Sequence, residues 1–123
     1  MQFEEQQPIY IQIANEFCKN IILGKWQPNE RIPSVRDMAV TLEVNPNTIV
    51  RTFDFLQNKE IIFNKRGIGY FVNENGPNKA LEYMREEFYN KTAPNFFTAM
   101  NLLKIEYSDL ERYYNEQTKQ TEK

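Results

Sequence analysis

The chain has 123 residues, 41% hydrophobic and 26% charged, with a formal net charge of −2, one cysteine and no histidine. This balance suits a folded chain of single-domain size and argues against wholesale disorder. Without histidine the commonest acid–base group and metal ligand is missing, and the lone Cys18 can make neither an intramolecular disulfide nor a multi-cysteine zinc site, so no metal, no cofactor and no enzymatic activity are expected.

Residues 1–7 are polar and acidic, and the most apolar run, Ile21, Ile22 and Leu23, is far below membrane-spanning length. A cytoplasmic protein with no membrane association is the expectation. Tyr10, Ile13, Ala14, Phe17 and Ile21 then recur on one helical face, with Pro8 ahead of them and Gly24 placed to end the helix in a left-handed conformation. Cys18 lies beside that face and reads as a small packing residue.

Residues 25–33 are turn-like. Ser34 reads as an N-cap with Asp37 three residues on, and Val35, Met38, Ala39 and Leu42 form one apolar stripe, predicting a short helix over about 34–42. Asn45 is a second N-cap, and Pro46 suits a first helical position. Ile49, Phe53 and Leu56 give the buried face of a helix over about 46–58. Two helices joined by so short a turn make a helix-turn-helix. Two β-branched or aromatic runs follow, Ile61-Ile62-Phe63 and Tyr70-Phe71-Val72, flanking a loop that carries Lys65, Arg66 and Gly67. They read as a hairpin. The fold class is therefore mainly α with a small β-hairpin: a winged helix-turn-helix over 8–73.

The groove-facing side of the third helix lies opposite its apolar face, which presents Asn47, Thr48 and Arg51 near the helix start, where free N–H groups would favour a phosphate oxygen. Arg36 projects from the second helix toward a phosphate or a surface acid, and Lys65 and Arg66 at the hairpin tip suit a backbone or minor-groove contact. Double-stranded DNA is the partner these positions imply. Residues 30–72 hold six Lys/Arg against five Asp/Glu, so affinity depends on placement and on two copies rather than on bulk charge. That near-neutral balance is also the best support for an alternative, a protein-interaction module without sequence-specific DNA binding.

Beyond a boundary at 73–77 the pattern is helical again to about residue 117, with Pro94 expected to kink or divide it and Ser108 through Glu111 reading as a capping box for a last helix over about 109–117. Leu81, Met84, Phe88, Phe96, Phe97, Met100, Leu103, Leu110, Tyr113 and Tyr114 are more apolar surface than so short a segment can bury alone. Residues 77–117 are accordingly expected to pair two chains into a homodimer, followed by a polar tail over 118–123.

The ordered set Pro8-Ile9-Tyr10-Ile11-Gln12-Ile13, Ile32-Pro33-Ser34-Val35-Arg36-Asp37-Met38-Ala39, Val44-Asn45-Pro46-Asn47-Thr48 and Lys65-Arg66-Gly67-Ile68-Gly69-Tyr70-Phe71-Val72 resembles the N-terminal domain of GntR-family bacterial transcription regulators. The short tail is similar to the YtrA-type subgroup. The resemblance implies a homodimeric repressor of an operon, often one encoding a transporter, with DNA contacts from the Ser34–Arg36 region, Asn45, Asn47, Thr48, Arg51 and the wing-tip Gly67 region. It leaves too few residues after the wing for a large effector domain, so a small-molecule effector would sit at a dimer seam. Val50, Ile68 and Tyr70 depart from the usual polar residues, and Glu60 stands where glycine commonly ends the recognition helix. A left-handed turn at Glu60 is expected to cost on the order of 1 kcal/mol.

Overall fold

In the computed structural model, residues 7–121 are described, the side chains of Gln120 and Thr121 excepted. The first six residues of the polar start and the last two of the tail lie outside the described residues. Two compact units follow one another, the first ending at Arg85 and the second beginning at Glu86.

The first unit is built on three helices. Helix α1 (Ile9–Ile22) buries Ala14, Phe17, Cys18 and Ile21, and ends as expected at Gly24, whose φ of 80° carries the chain away. Burial pushes the Cys18 thiol up to about 12, so it is a neutral packing group at any ordinary pH. Helix α2 (Val35–Leu42) starts where the Ser34 hydroxyl accepts the Asp37 N–H at 3.1 Å. Helix α3 (Pro46–Asn58) buries Ile49, Thr52, Phe53 and Leu56. Phe53 sits at the centre, edge-on to Phe17 at 5.6 Å and against Tyr70 at 4.7 Å.

At the end of α3 the chain turns through Glu60 with φ 61°, and the Ile61 N–H returns to the Leu56 carbonyl at 2.9 Å. This closure tucks the fully buried Ile61 under the helix and launches β1 (Ile62–Lys65). Strand β2 (Gly69–Val72) pairs antiparallel with it, Ile62 opposite Val72 and Lys65 opposite Gly69. The strands thus reach closer to the tip than the apolar runs suggested, because Asn64 and Lys65 complete the ladder despite their polarity. On the other edge of β2, residues 30–32 add a third extended segment: Val72 N–H donates to the Glu30 carbonyl and Ile32 N–H to the Tyr70 carbonyl, both at 2.9 Å, while Asn29, in a turn with φ 66°, donates its N–H to the Val72 carbonyl at 2.8 Å.

Helix α4 (Gly76–Glu87) falls mostly within the first unit. Ala80 and Tyr83 are buried, the Tyr83 hydroxyl donates to Asn15 Oδ1 at 2.7 Å, and Met84 packs against the core. Met84 is half-buried against the winged unit's core, a contact that its apolar spacing alone does not show. Leu81 is half-buried.

In the second unit, a π-helical turn (Phe88–Thr92) precedes α5 (Ala93–Leu102), and α6 spans Tyr107–Thr121. Pro94 stands in the first turn of α5, where the helical stretch is divided as expected. The Ala93 N–H bonds to the carbonyl of Phe88, five residues back, and this widened turn makes room for the proline ring at the start of α5. The start of α6 differs from expectation. Asp109 Oδ2 accepts from the Glu106 N–H at 3.2 Å, so the cap lies at Glu106 rather than Ser108. The helix runs on through 118–121 because no breaker interrupts it, and the Thr118 hydroxyl is satisfied by the Tyr114 carbonyl at 2.9 Å.

Candidate nucleic-acid interface

Between α2 and α3 the chain needs a sharp reversal, and Glu43 supplies it with φ 56°. The Val44 N–H bonds back to the Ala39 carbonyl at 3.1 Å, and Val44 packs against the core, which fixes the angle at which α3 departs. Asn45 then caps α3, its Oδ1 accepting from the Asn47 N–H at 2.8 Å. The Thr52 hydroxyl is fully buried, 3.0 Å from the carbonyls of both Thr48 and Tyr10, so it ties α3 to α1.

With the apolar face of α3 inside, Asn47, Val50, Arg51 and Asp54 are exposed. Thr48 is half-buried. One expectation is corrected here. The start of α3 does not offer a set of free N–H groups: Pro46 has none, Asn47 is capped by its neighbour, and the Thr48 N–H bonds the Asn45 carbonyl at 2.9 Å. What this end of the helix offers to a ligand is therefore its side chains. Asn45 and Ser34 spend their oxygen acceptors on capping, which leaves the Asn45 amide N–H₂ and the Ser34 hydroxyl proton to donate outward.

Arg36 is exposed, and among the described residues it makes no ion pair with Asp37 or Glu43. The Arg51 guanidinium lies 4.4 Å from the centre of the Tyr10 ring. That contact holds a long side chain in a narrow range of rotamers without neutralising it. Tyr10 read as a core residue from its periodicity, and only the tertiary packing of α1 on α3 reveals this second duty.

At the wing tip, Lys65, Arg66 and Gly67 are exposed, and the Ile68 N–H closes the turn on the Lys65 carbonyl at 2.8 Å. Gly67 has φ 78° with open space around it. Of the atypical wing residues, Ile68 is at the exposed tip, while Tyr70 points inward onto Phe53 and belongs to the core. Among the described residues no group of acidic or cysteine side chains could hold a metal ion, and no helix is long and apolar enough to cross a membrane.

Residues 9–72 match the family of bacterial regulatory proteins called the gntR family. The chain belongs to that family. This GntR-family chain is 40% identical over 73 residues to the uncharacterized HTH-type transcriptional regulator YhcF of Bacillus subtilis, covering 59% of one and 60% of the other. It is 33% identical over 75 residues to the HTH-type transcriptional repressor YtrA of the same organism, covering 61% and 58%. The matches thus span about three-fifths of these curated relatives. Among solved structures, a GntR-family transcriptional regulator from Bacteroides thetaiotaomicron superposes with a TM-score of 0.78 at 37% identity over 93% of this chain and 99% of that one. The AraR DNA-binding domain, solved in complex with an operator, gives 0.54 at 26% identity over 58% and 87%. The fold is the winged helix-turn-helix of the GntR family, a family of regulators rather than enzymes.

Proposed function

We propose that the chain is a cytoplasmic, sequence-specific DNA-binding transcription regulator, a homodimeric repressor acting at an inverted-repeat operator such as that of a transporter operon. The observation that carries this reading is the set of unneutralised polar and cationic side chains displayed by one compact unit: Arg36, Asn47 and Arg51 from the helix-turn-helix, Lys65 and Arg66 from the wing. A helix start bearing Asn and Arg can address base edges in a major groove, while wing cations address phosphates. AraR, a structural relative bound to its operator, supports the same use of this fold.

Pairing is supported by the second unit. Among its described residues only Ala93 is buried, whereas Phe88, Phe96, Phe97, Leu103, Tyr113 and Tyr114 are each exposed by 46% or more. Met100 and Leu110 line an apolar groove of about 400 Å³ between α5 and α6. So much uncovered apolar surface calls for a partner, and a second copy in two-fold symmetry is the commonest closed solution. A small-molecule effector would bind at that seam.

The test is selection of duplexes from a genomic fragment library by the full chain, followed by affinity measurement on the enriched duplex. A discrete, palindromic, salt-sensitive site is expected, with half-sites about one helical turn apart. Arg51→Ala should weaken that site by about 1–3 kcal/mol. If no sequence is enriched, the regulator reading fails and the protein-docking module takes its place.

A further inference from the structure

The cationic surface of the wing extends beyond its tip, because a cation from outside the hairpin joins Lys65 on one face. Its inward face is apolar, with Ile62 and Val72 buried and Tyr70 on Phe53. The opposite face is different in kind. Phe63 and Phe71 are cross-strand partners whose rings stack at 5.6 Å, and Lys65 Nζ lies 5.3 Å from the Phe71 ring centre. Arg31 forms an isolated antiparallel bridge with Phe71, and side chains directly opposite across a ladder share a face. Arg31 therefore joins Phe63, Phe71 and Lys65 on that outer surface.

Gly69 shows where the Arg31 side chain goes. A Cβ built there would lie 2.9 Å from Arg31 Nε and 3.3 Å from one terminal nitrogen, and the φ of 146° is one that other residues rarely adopt. The guanidinium is laid across the bare backbone of Gly69, the residue directly opposite Lys65 in the ladder. Arg31 and Lys65 thus reach the same face of the wing from its two sides, one over Gly69 and the other over Phe71. Among the described residues neither has an ion pair. Two cations on one face with no acid paired to either offer donors to an anion bearing more than one acceptor oxygen.

Resting on the regulator reading above, we propose that Arg31 and Lys65 form a phosphate clamp on the outer face of the wing, gripping the DNA backbone beside the groove that the tip enters. The Phe71 ring is the floor beneath Lys65, and the bare backbone of Gly69 is the floor beneath Arg31. Because Arg31 is anchored by the backbone of residues 29–32, the clamp is fixed with respect to α2. It carries no sequence information. Its contribution is equal on every duplex.

The experiment measures binding of the full chain as a function of salt, on the duplex enriched above and on an unrelated duplex of equal length. Arg31→Gln is expected to weaken both by a similar factor, roughly tenfold, and to lower the log–log salt slope by about 0.9 for the lost phosphate, while Arg31→Lys keeps the slope. A methylphosphonate at the contacted position should abolish the difference between wild type and Arg31→Gln. Arg31→Met, which keeps the aliphatic stem over Gly69 and removes the charge, provides the same slope reading if Arg31→Gln melts below the assay temperature. An unchanged slope in a folded Arg31→Gln protein that still binds, or a loss confined to the specific duplex, overturns the clamp and leaves the regulator reading intact. Failure of the wild-type chain to enrich any duplex overturns both.

Discussion

Glu60→Gly tests whether the turn joining the recognition helix to the wing is held under strain. Glu60 has φ 61°, a conformation that brings the Cβ of an L-residue against its own backbone and costs about 1 kcal/mol. Against that relief stands the loss of the Glu60–Lys79 ion pair, 3.5 Å long with side chains 68% and 34% exposed, which is worth at most about 0.5 kcal/mol. The backbone bonds, Glu60 N–H to the Gln57 carbonyl and Asn73 Nδ2 to the Glu60 carbonyl, survive the change. The net expectation is a gain of about 0.5–1 kcal/mol, or roughly 2–5 °C in Tm for a chain of this size. Glu60→Ala separates the two terms, since it removes the carboxylate and keeps the strain. Urea denaturation followed by circular dichroism should rank Gly above wild type and wild type level with or above Ala, with Gly and Ala about 1 kcal/mol apart. A Gly variant no more stable than the Ala variant would refute the strain argument.

Gly76→Ala should destabilise by about 1–3 kcal/mol in the same assay, because the added Cβ would lie 2.7 Å from the Ile61 carbonyl oxygen and 2.9 Å from Val72 Cγ1, where the start of α4 meets the wing root. Cys18 should resist thiol reagents in the folded chain and react on unfolding. Its raised pKa of about 12 also sets an alkaline limit. Its contribution is complete below the unfolded value near 9 and is lost as pH rises toward 12, by about 1.4 kcal/mol per pH unit, so Cys18→Ala should flatten that part of a stability–pH curve. Leu103→Asp, at a position 65% exposed in the single chain, should leave the helical circular dichroism signal unchanged and weaken dimerisation at least about tenfold in analytical ultracentrifugation. A dimer of undiminished affinity would remove Leu103 from the seam.

The helix-turn-helix was legible in the sequence because its signals are local. Ser34, Asn45 and Pro46 mark helix starts by their own chemistry, and the Ile49, Phe53 and Leu56 spacing sets the buried face, so the limits of α2 and α3 fall where the residues place them. What the sequence hid is what depends on partners distant along the chain. Tyr10 meets Arg51 only because α1 packs on α3, and Arg31 joins the wing only because residues 30–32 lie along β2. Met84 carries the same apolar signal as Phe96, yet one packs half-buried against a core and the other faces out. Periodicity identifies an apolar face but not the surface that covers it. At Pro94 the local rule held, with a widened turn dividing the stretch just before it, whereas at Ser108 it misled, since Asp109 reached back to Glu106 instead.

The third extended segment along β2 makes the hairpin part of a small sheet whose far edge is the lead-in to α2. A wing mounted this way is no loose flap adjusting to whatever duplex it meets. On the proposed DNA-binding reading it would act as one jaw of a caliper, with the recognition helix as the other and their gap set by the frame between them. Such an instrument rejects a duplex whose grooves are spaced wrongly even when every base is right, and stretches of DNA the protein never touches would then count toward its choice of site through their bending stiffness.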